Sequence, residues 1–155
     1  MTPARELDRD LVQQKLERMQ RALAGLRRQQ PVTAERLEAD DDYAAVVERY
    51  LTQLVDLAVA VNAHIAATTG ETIPGDYQST FDAAARAGAI EDELAAELRP
   101  SVGLRNILVH AYETTDVDVV AWAAHEGARH YDAYVRQVSA FAARAHETGG
   151  NDPGV

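Results

Sequence analysis

A chain of 155 residues, 46% hydrophobic and 26% charged, is long enough to bury a core and too apolar for a disordered polymer. It contains no cysteine, which excludes disulfides, a thiolate nucleophile and cysteine-ligated zinc. Its formal net charge of −10 argues against a general nucleic-acid binder, although a focused positive site can sit within an acidic surface.

Helical periodicity dominates from the start. Leu7, Leu11, Leu16, Met19, Leu23 and Leu26 recur at spacings of three to five and predict one apolar stripe on a first helix. Arg5, Arg9, Lys15, Arg18, Arg21, Arg27 and Arg28 crowd the same segment and read as a solvated face with ion pairs, or as an approach surface for RNA or a partner. Pro31 ends this helix, because proline disfavours helical geometry at the residue before it. Thr33 is expected to open a short helical turn. Asp40, Asp41 and Asp42 then stand where an N-cap and the helix dipole favour acids. A magnesium site at these carboxylates has no other support.

A long central helix follows through Tyr43, Val46, Val47, Tyr50, Leu51, Leu54, Val55, Leu57, Ala58, Val61 and Ile65, with Gly70 as its C-cap. Its stretch from Leu51 to Ala67 comes nearest to the roughly 20 apolar residues of a membrane span, but Thr52, Gln53, Asp56, Asn62 and His64 interrupt it. Met1 to Asp10 is charged and predicts no secretory signal, so a cytoplasmic protein is expected. Residues 70–78 read as a loop. Ser79 is expected to cap a short helix that Gly88 closes, and a second short helix spans about Ile90 to Leu98.

Pro100 suits the first turn of another helix, carrying Leu104, Ile107 and Leu108. A last long helix is expected over Asp116 to Ala145, anchored by Val119, Val120, Trp122, Ala123, Tyr131, Tyr134, Val135, Val138 and Phe141. The sum is an all-α, up-and-down helical bundle over residues 1–148, with a frayed tail over 149–155.

Chemistry concentrates in Val102-Gly103-Leu104-Arg105-Asn106-Ile107-Leu108-Val109-His110-Ala111-Tyr112. Apolar flanks place Arg105, Asn106, His110 and Tyr112 near the core. Asn106 and His110, four apart, share a helical face. Arg105 is five residues from His110, so its side chain must reach round or the helix must end there. Tyr112 comes back towards His110 only if the chain leaves the helix after Ala111. Cleaving RNA without a metal needs a base for the 2′-hydroxyl, an acid for the leaving oxygen and a cation for the phosphate. Histidine serves the first two and arginine the third, while asparagine orients the imidazole or donates to the phosphoryl group. One such histidine per chain makes a symmetric dimer chemically attractive. The competing reading is a structural polar cluster at helix ends, with Tyr112 an interface tyrosine.

Arg105, four residues, His110, one residue and Tyr112, with Asn106 directly after the arginine, resembles the signature of the HepT toxins of the HEPN superfamily. The central helix from Arg49 to His64, the loop Ile73-Pro74-Gly75-Asp76-Tyr77 with Phe81, and the approach Val102-Gly103-Leu104 extend the likeness over roughly Leu7 to Phe141. Ala111 departs from it, standing where many relatives carry glycine. The resemblance implies a HEPN-type bundle forming a homodimer with a composite, metal-independent RNase cleft and no cofactor. It assigns catalysis to Arg105, Asn106 and His110. It also implies the toxin of a type II/VII-like pair, whose partner is an MntA-like nucleotidyltransferase antitoxin that adds AMP to Tyr112. Bulk and negative charge beside a cationic cleft would exclude RNA. The alternative is a non-catalytic dimeric subunit that docks the nucleotidyltransferase.

The remaining histidines carry less. His64 reads as a satisfied core or interface histidine. His125 and His130 are five apart, which spoils the facing-ligand geometry of a zinc helix and leaves a solvated face. His146 belongs near the tail.

Overall fold

The computed structural model describes residues 5–110 and 115–149, all of whose regular structure is helical. Helix α1 (Arg9–Gln29) starts where the Asp8 carboxylate accepts from the Leu11 N–H, and buries Val12, Leu16, Met19, Leu23 and Leu26 along one stripe. It stops at Gln29, and Gln30 is extended ahead of a cis bond to Pro31. Thr33 caps α2 (Ala34–Ala39), and Asp40 caps α3 (Asp41–Thr68) through the Tyr43 N–H. Both short polar side chains satisfy amides that a helix start leaves without partners. Gly70, at φ 77°, takes the left-handed turn that releases the chain from α3.

Helix α4 (Tyr77–Arg86) begins two residues before the expected Ser79. Asp76 is the cap: its Oδ2 accepts from both the N–H and the hydroxyl of Ser79, so the predicted cap is itself held by the true one. Gly88, at φ 85°, ends this helix, and α5 (Asp92–Leu98) and α6 (Pro100–Val109) follow almost without a loop. The expected single last helix is divided. It runs as α7 (Val117–Trp122), a π-helical segment at Ala123–Gly127, and α8 (Ala128–Gly149). Across this wider turn, the Gln30 side chain donates to the Ala124 carbonyl and its Oε1 accepts from the Val32 N–H. Residue 149 ends α8, and 150–155 of the predicted tail lie outside the described residues.

Helix α3 is the axis of the bundle. α1, α4 and α6 pack directly on it, and α8 closes the layer against α1 and α5. Gly25 lets α1 approach closely, since a Cβ there would collide with the ring of Tyr50 on α3. The core joins Leu54, Val61 and Ile65 of α3 to Phe81 of α4 and Tyr134 and Val138 of α8. One buried polar chain crosses it. The Tyr134 hydroxyl donates to Asn62 Oδ1 at 2.6 Å, Asn62 Nδ2 donates to Thr80 Oγ1, and the Thr80 hydroxyl donates to the Tyr77 carbonyl. Burial pushes the Tyr134 hydroxyl well above the usual tyrosine range, keeping it a neutral donor. Among the described residues, no helix is long and apolar enough to cross a membrane.

Two expected anchors are not core residues. Val119 and Trp122 are 45% and 54% exposed, because α7 lies at the rim of the bundle, where Val120 is buried and α2 packs against the helix while these two side chains wall a groove.

Candidate active site

Helix α6 is short, peripheral and amphipathic in an unusual sense. Its Val102 is buried on the bundle, Leu104 and Leu108 are half-buried, and Ile107 and Val109 are exposed. The polar residues between them therefore lie at the surface and not near the core, as the flanking apolar residues had suggested. Asn106 and His110 are exposed, and only Arg105 is substantially covered.

Arg105 is held from three directions. Its Nε donates to Asp56 Oδ1 on α3 at 2.8 Å, its Nη1 donates to Asn106 Oδ1 at 3.3 Å, and its guanidinium carbon stands 5.2 Å from the ring centre of Tyr77 on α4. The Arg105 side chain is 18% exposed and that of Asp56 43%. Such a clamp spends one edge of the guanidinium on Asp56 and directs the rest outward. That remainder is what a phosphate could use.

His110 occupies the helix C-cap. Its N–H donates to the Asn106 carbonyl, and its backbone leaves helical geometry at φ −95°, ψ 50°. The helix thus ends at the motif histidine, one of the two solutions that the five-residue Arg105–His110 spacing allowed. The His110 side chain has no hydrogen-bond partner among the described residues. Ala111 and Tyr112 lie outside them, so the predicted turn towards His110 and the tyrosine's position are not described.

Two clefts meet at Arg105. A polar one is lined by Asp76, Tyr77, Gln78, Val102, Arg105 and Asn106. On the other side an apolar groove runs between α6 and α7, walled by Leu104, Leu108, Val119 and Trp122 and reaching Tyr131. The Tyr131 hydroxyl lies 2.7 Å from the Ser101 hydroxyl, and burial drives its titration up and out of reach of acid–base work near neutrality.

Residues 12–138 of the chain match a family model described as "Ribonuclease HepT-like". The chain belongs to the HepT-like family. It is 28% identical to the tRNA nuclease HepT of Aphanizomenon flos-aquae over 134 residues, covering 84% of this chain and 89% of that one. Among solved structures it is similar to the tri-AMPylated HEPN toxin of Shewanella oneidensis in complex with its MNT antitoxin. The TM-score is 0.77 at 21% identity, over 84% of this chain and 98% of that one. It is similar as well to YutE, a cytosolic Bacillus subtilis protein of unknown function, with a TM-score of 0.77 at 13% identity over 96% and 97%. At these identities the solved structures establish the shared all-α HEPN fold.

Within this HepT-like bundle, His64, His125 and His130 have structural partners, and the side chain of His146 lies outside the described residues. His64 Nε2 accepts from the Asp8 N–H at 2.8 Å and ties the start of α1 to α3. His125 Nε2 lies 3.2 Å from the Val32 carbonyl, while His130 Nε2 lies 3.4 Å from Glu97, so the two diverge. Among the described residues no three His, Asp or Glu side chains converge in a metal-binding cluster. Asp56 and Tyr77 were not singled out from the sequence as site residues, yet they fix Arg105. The one carboxylate in the apolar stretch of α3 from Leu51 to Ala67 was the available signal, since a charge there asks for a partner.

Proposed function

We propose that this HepT-like chain is the toxin of a type II/VII-like toxin–antitoxin pair, a cytoplasmic endoribonuclease that cuts RNA without a metal ion. The single observation that carries this reading is Arg105, clamped by Asp56 and Tyr77 at a cleft mouth beside Asn106, which lies one helical turn ahead of His110, a side chain with no hydrogen-bond partner among the described residues. In the proposed reaction the ribose 2′-oxygen bonds to phosphorus and the bond to the 5′-oxygen breaks. The products are a 2′,3′-cyclic phosphate and a 5′-hydroxyl. One imidazole takes the 2′ proton and another protonates the departing 5′-oxygen, while Arg105 and Asn106 meet the charge on the phosphoryl oxygens.

Two imidazoles require two copies of His110, which supports a homodimer with a composite cleft. The apolar groove of α6 and α7, continuous with Arg105 and flanked by exposed Ile107, Val109 and Trp122, is the surface that pairing would cover. The regulatory half of the proposal rests on the family: an MntA-like nucleotidyltransferase antitoxin adds AMP to Tyr112. The similar Shewanella toxin is described as tri-AMPylated and bound to its MNT antitoxin. The relative named as a tRNA nuclease supports RNA as the substrate class.

The test combines intact mass and cleavage. Protein free of modification is expected to cut RNA in excess chelator, leaving cyclic phosphate ends, and His110→Ala to lose cleavage while keeping its melting temperature. Expression with the nucleotidyltransferase is expected to add AMP mass that Tyr112→Phe prevents. No cleavage by unmodified protein refutes the nuclease. That outcome favours the second reading, a non-catalytic dimeric subunit that docks the nucleotidyltransferase, to which the net charge of −10 lends some support.

A further inference from the structure

Most of the large aromatic side chains described here serve the core. Phe81, Tyr131 and Tyr134 are buried and meet edge to face. Tyr77 does not. It sits on the first turn of α4, 40% exposed, and contributes its backbone carbonyl, not its ring, to the buried polar chain. The ring faces the Arg105 guanidinium at 5.2 Å and borders the polar cleft that also contains Asn106.

An exposed aromatic ring beside a cation that binds phosphate is the arrangement by which proteins hold single-stranded nucleic acid: bases stack on the ring and the backbone follows the charge. The two ends of the cleft differ in kind. Towards His110 it offers Arg105 and Asn106, which suit a phosphate. Towards α4 it offers Tyr77 flanked by Asp76, whose carboxylate is held ionised by the Ser79 hydroxyl and N–H and repels a phosphate. A neutral, flat group belongs at that end.

We infer that Tyr77 is a base-stacking platform, on which the nucleobase adjoining the scissile phosphate lies while Arg105 holds that phosphate. This inference rests on the nuclease reading and deepens it, giving the site an unpaired nucleotide as its substrate class. A base locked in a duplex cannot reach an aromatic ring in this way, so cleavage falls in single-stranded segments and ends.

The experiment uses the full, unmodified chain and a short single-stranded RNA whose cut position has been mapped. Abasic ribose is placed in turn at each nucleotide flanking that position. Base–aromatic stacking is worth about 5- to 150-fold in affinity. Tyr77→Ala is expected to lower kcat/KM on intact RNA by a factor in that range, chiefly through KM, and Tyr77→Phe to stay within about threefold of the parent. One of the two abasic RNAs is expected to lose as much with the parent protein, and to lose nothing further with Tyr77→Ala, because ring and base act as one pair. Losses that multiply independently overturn the platform and leave a tyrosine that only steadies Arg105, and Tyr77→Phe falling as far as alanine overturns it in favour of the hydroxyl. Full activity of the parent protein on both abasic RNAs also overturns it, and that measurement stands even if the alanine variant unfolds. No cleavage of any RNA by the parent protein refutes the nuclease reading itself, a different failure from any of these.

Discussion

Replacing Asp56 by alanine separates what the Asp56–Arg105 pair does for the fold from what it does for the site. The pair is short, at 2.8 Å, but the carboxylate is 43% exposed and water screens it, so its contribution to stability is below about 1 kcal/mol. The melting temperature is therefore expected to fall by less than about 4 °C. The effect on chemistry is larger for an entropic reason. An arginine side chain carries about 2 kcal/mol of rotamer freedom. In the native site much of that freedom is already removed by Asp56, Tyr77 and Asn106 before any substrate arrives. Without Asp56, part of that ordering must be supplied at the transition state, with an upper bound of about 30-fold in kcat.

Charge works in the opposite direction on binding. Loss of the carboxylate leaves the guanidinium less neutralised, so KM for RNA is expected to hold steady or drop. Asp56→Asn keeps an acceptor for Nε and removes the charge; it is expected to retain kcat near the parent value and to share the lower KM. The assay is steady-state cleavage of a fluorogenic RNA oligonucleotide, beside thermal melts of each variant. Equal kcat losses in the alanine and asparagine variants would refute the positioning argument. So would a melting temperature that collapses in step with activity.

Three other outcomes follow from the same geometry. Tyr134→Phe strips Asn62 Oδ1 of its 2.6 Å donor in a fully buried site and is expected to cost about 2 kcal/mol, or about 4–8 °C in a thermal melt; an unchanged melt refutes the role given to the polar chain. Asp76 has its carboxyl held below the ordinary 3.8 by the Ser79 hydrogen bonds, so its capping is fully present above that value and is lost as pH falls through the lower folded one. Asp76→Asn still accepts from Ser79 without titrating, and its stability gap from the parent is expected to be flat between pH 7 and 5 and to shrink on further acidification. Trp122→Glu puts a charge on the exposed rim of the apolar groove and is expected to shift a dimer towards monomer in sedimentation while leaving the helical circular dichroism intact; a persistent dimer places the pairing surface elsewhere.

What was legible in the sequence divides by physical range. Local chemistry spoke clearly: Pro31, Asp40, Gly70, Gly88 and Pro100 each mark a helix boundary because each constrains the backbone of its own turn. Where two residues competed for one local role, the reading erred. Asp76 and Ser79 are both good caps, and the carboxylate, able to accept two hydrogen bonds at once, took the position. The π-helical turn at Ala123–Gly127 left no trace, since one widened turn in an alanine-rich run keeps the same apolar pattern on either side. Periodicity also overstated burial at Val119 and Trp122, because it reports which face of a helix is apolar and not whether anything covers that face.

The long-range part of the site was present in the sequence in a form that only the fold decodes. Three of the five polar residues that interrupt α3 between Leu51 and Ala67 each meet a partner far along the chain. Asp56 pairs with Arg105, 49 residues away; Asn62 accepts from Tyr134, 72 away; His64 accepts from Asp8, 56 away. A buried polar group is tolerated when another element brings its partner, so these three interruptions mark places where a second segment meets α3. For Asn62 the crossing is with α8, and through Thr80 it fixes the turn of α4 that carries Tyr77. For Asp56 it is with α6, and it fixes the guanidinium. Arg105 and Tyr77 are thus brought face to face by two separate interruptions of one helix, which is why neither a motif nor a spacing in α6 alone could reveal the clamp.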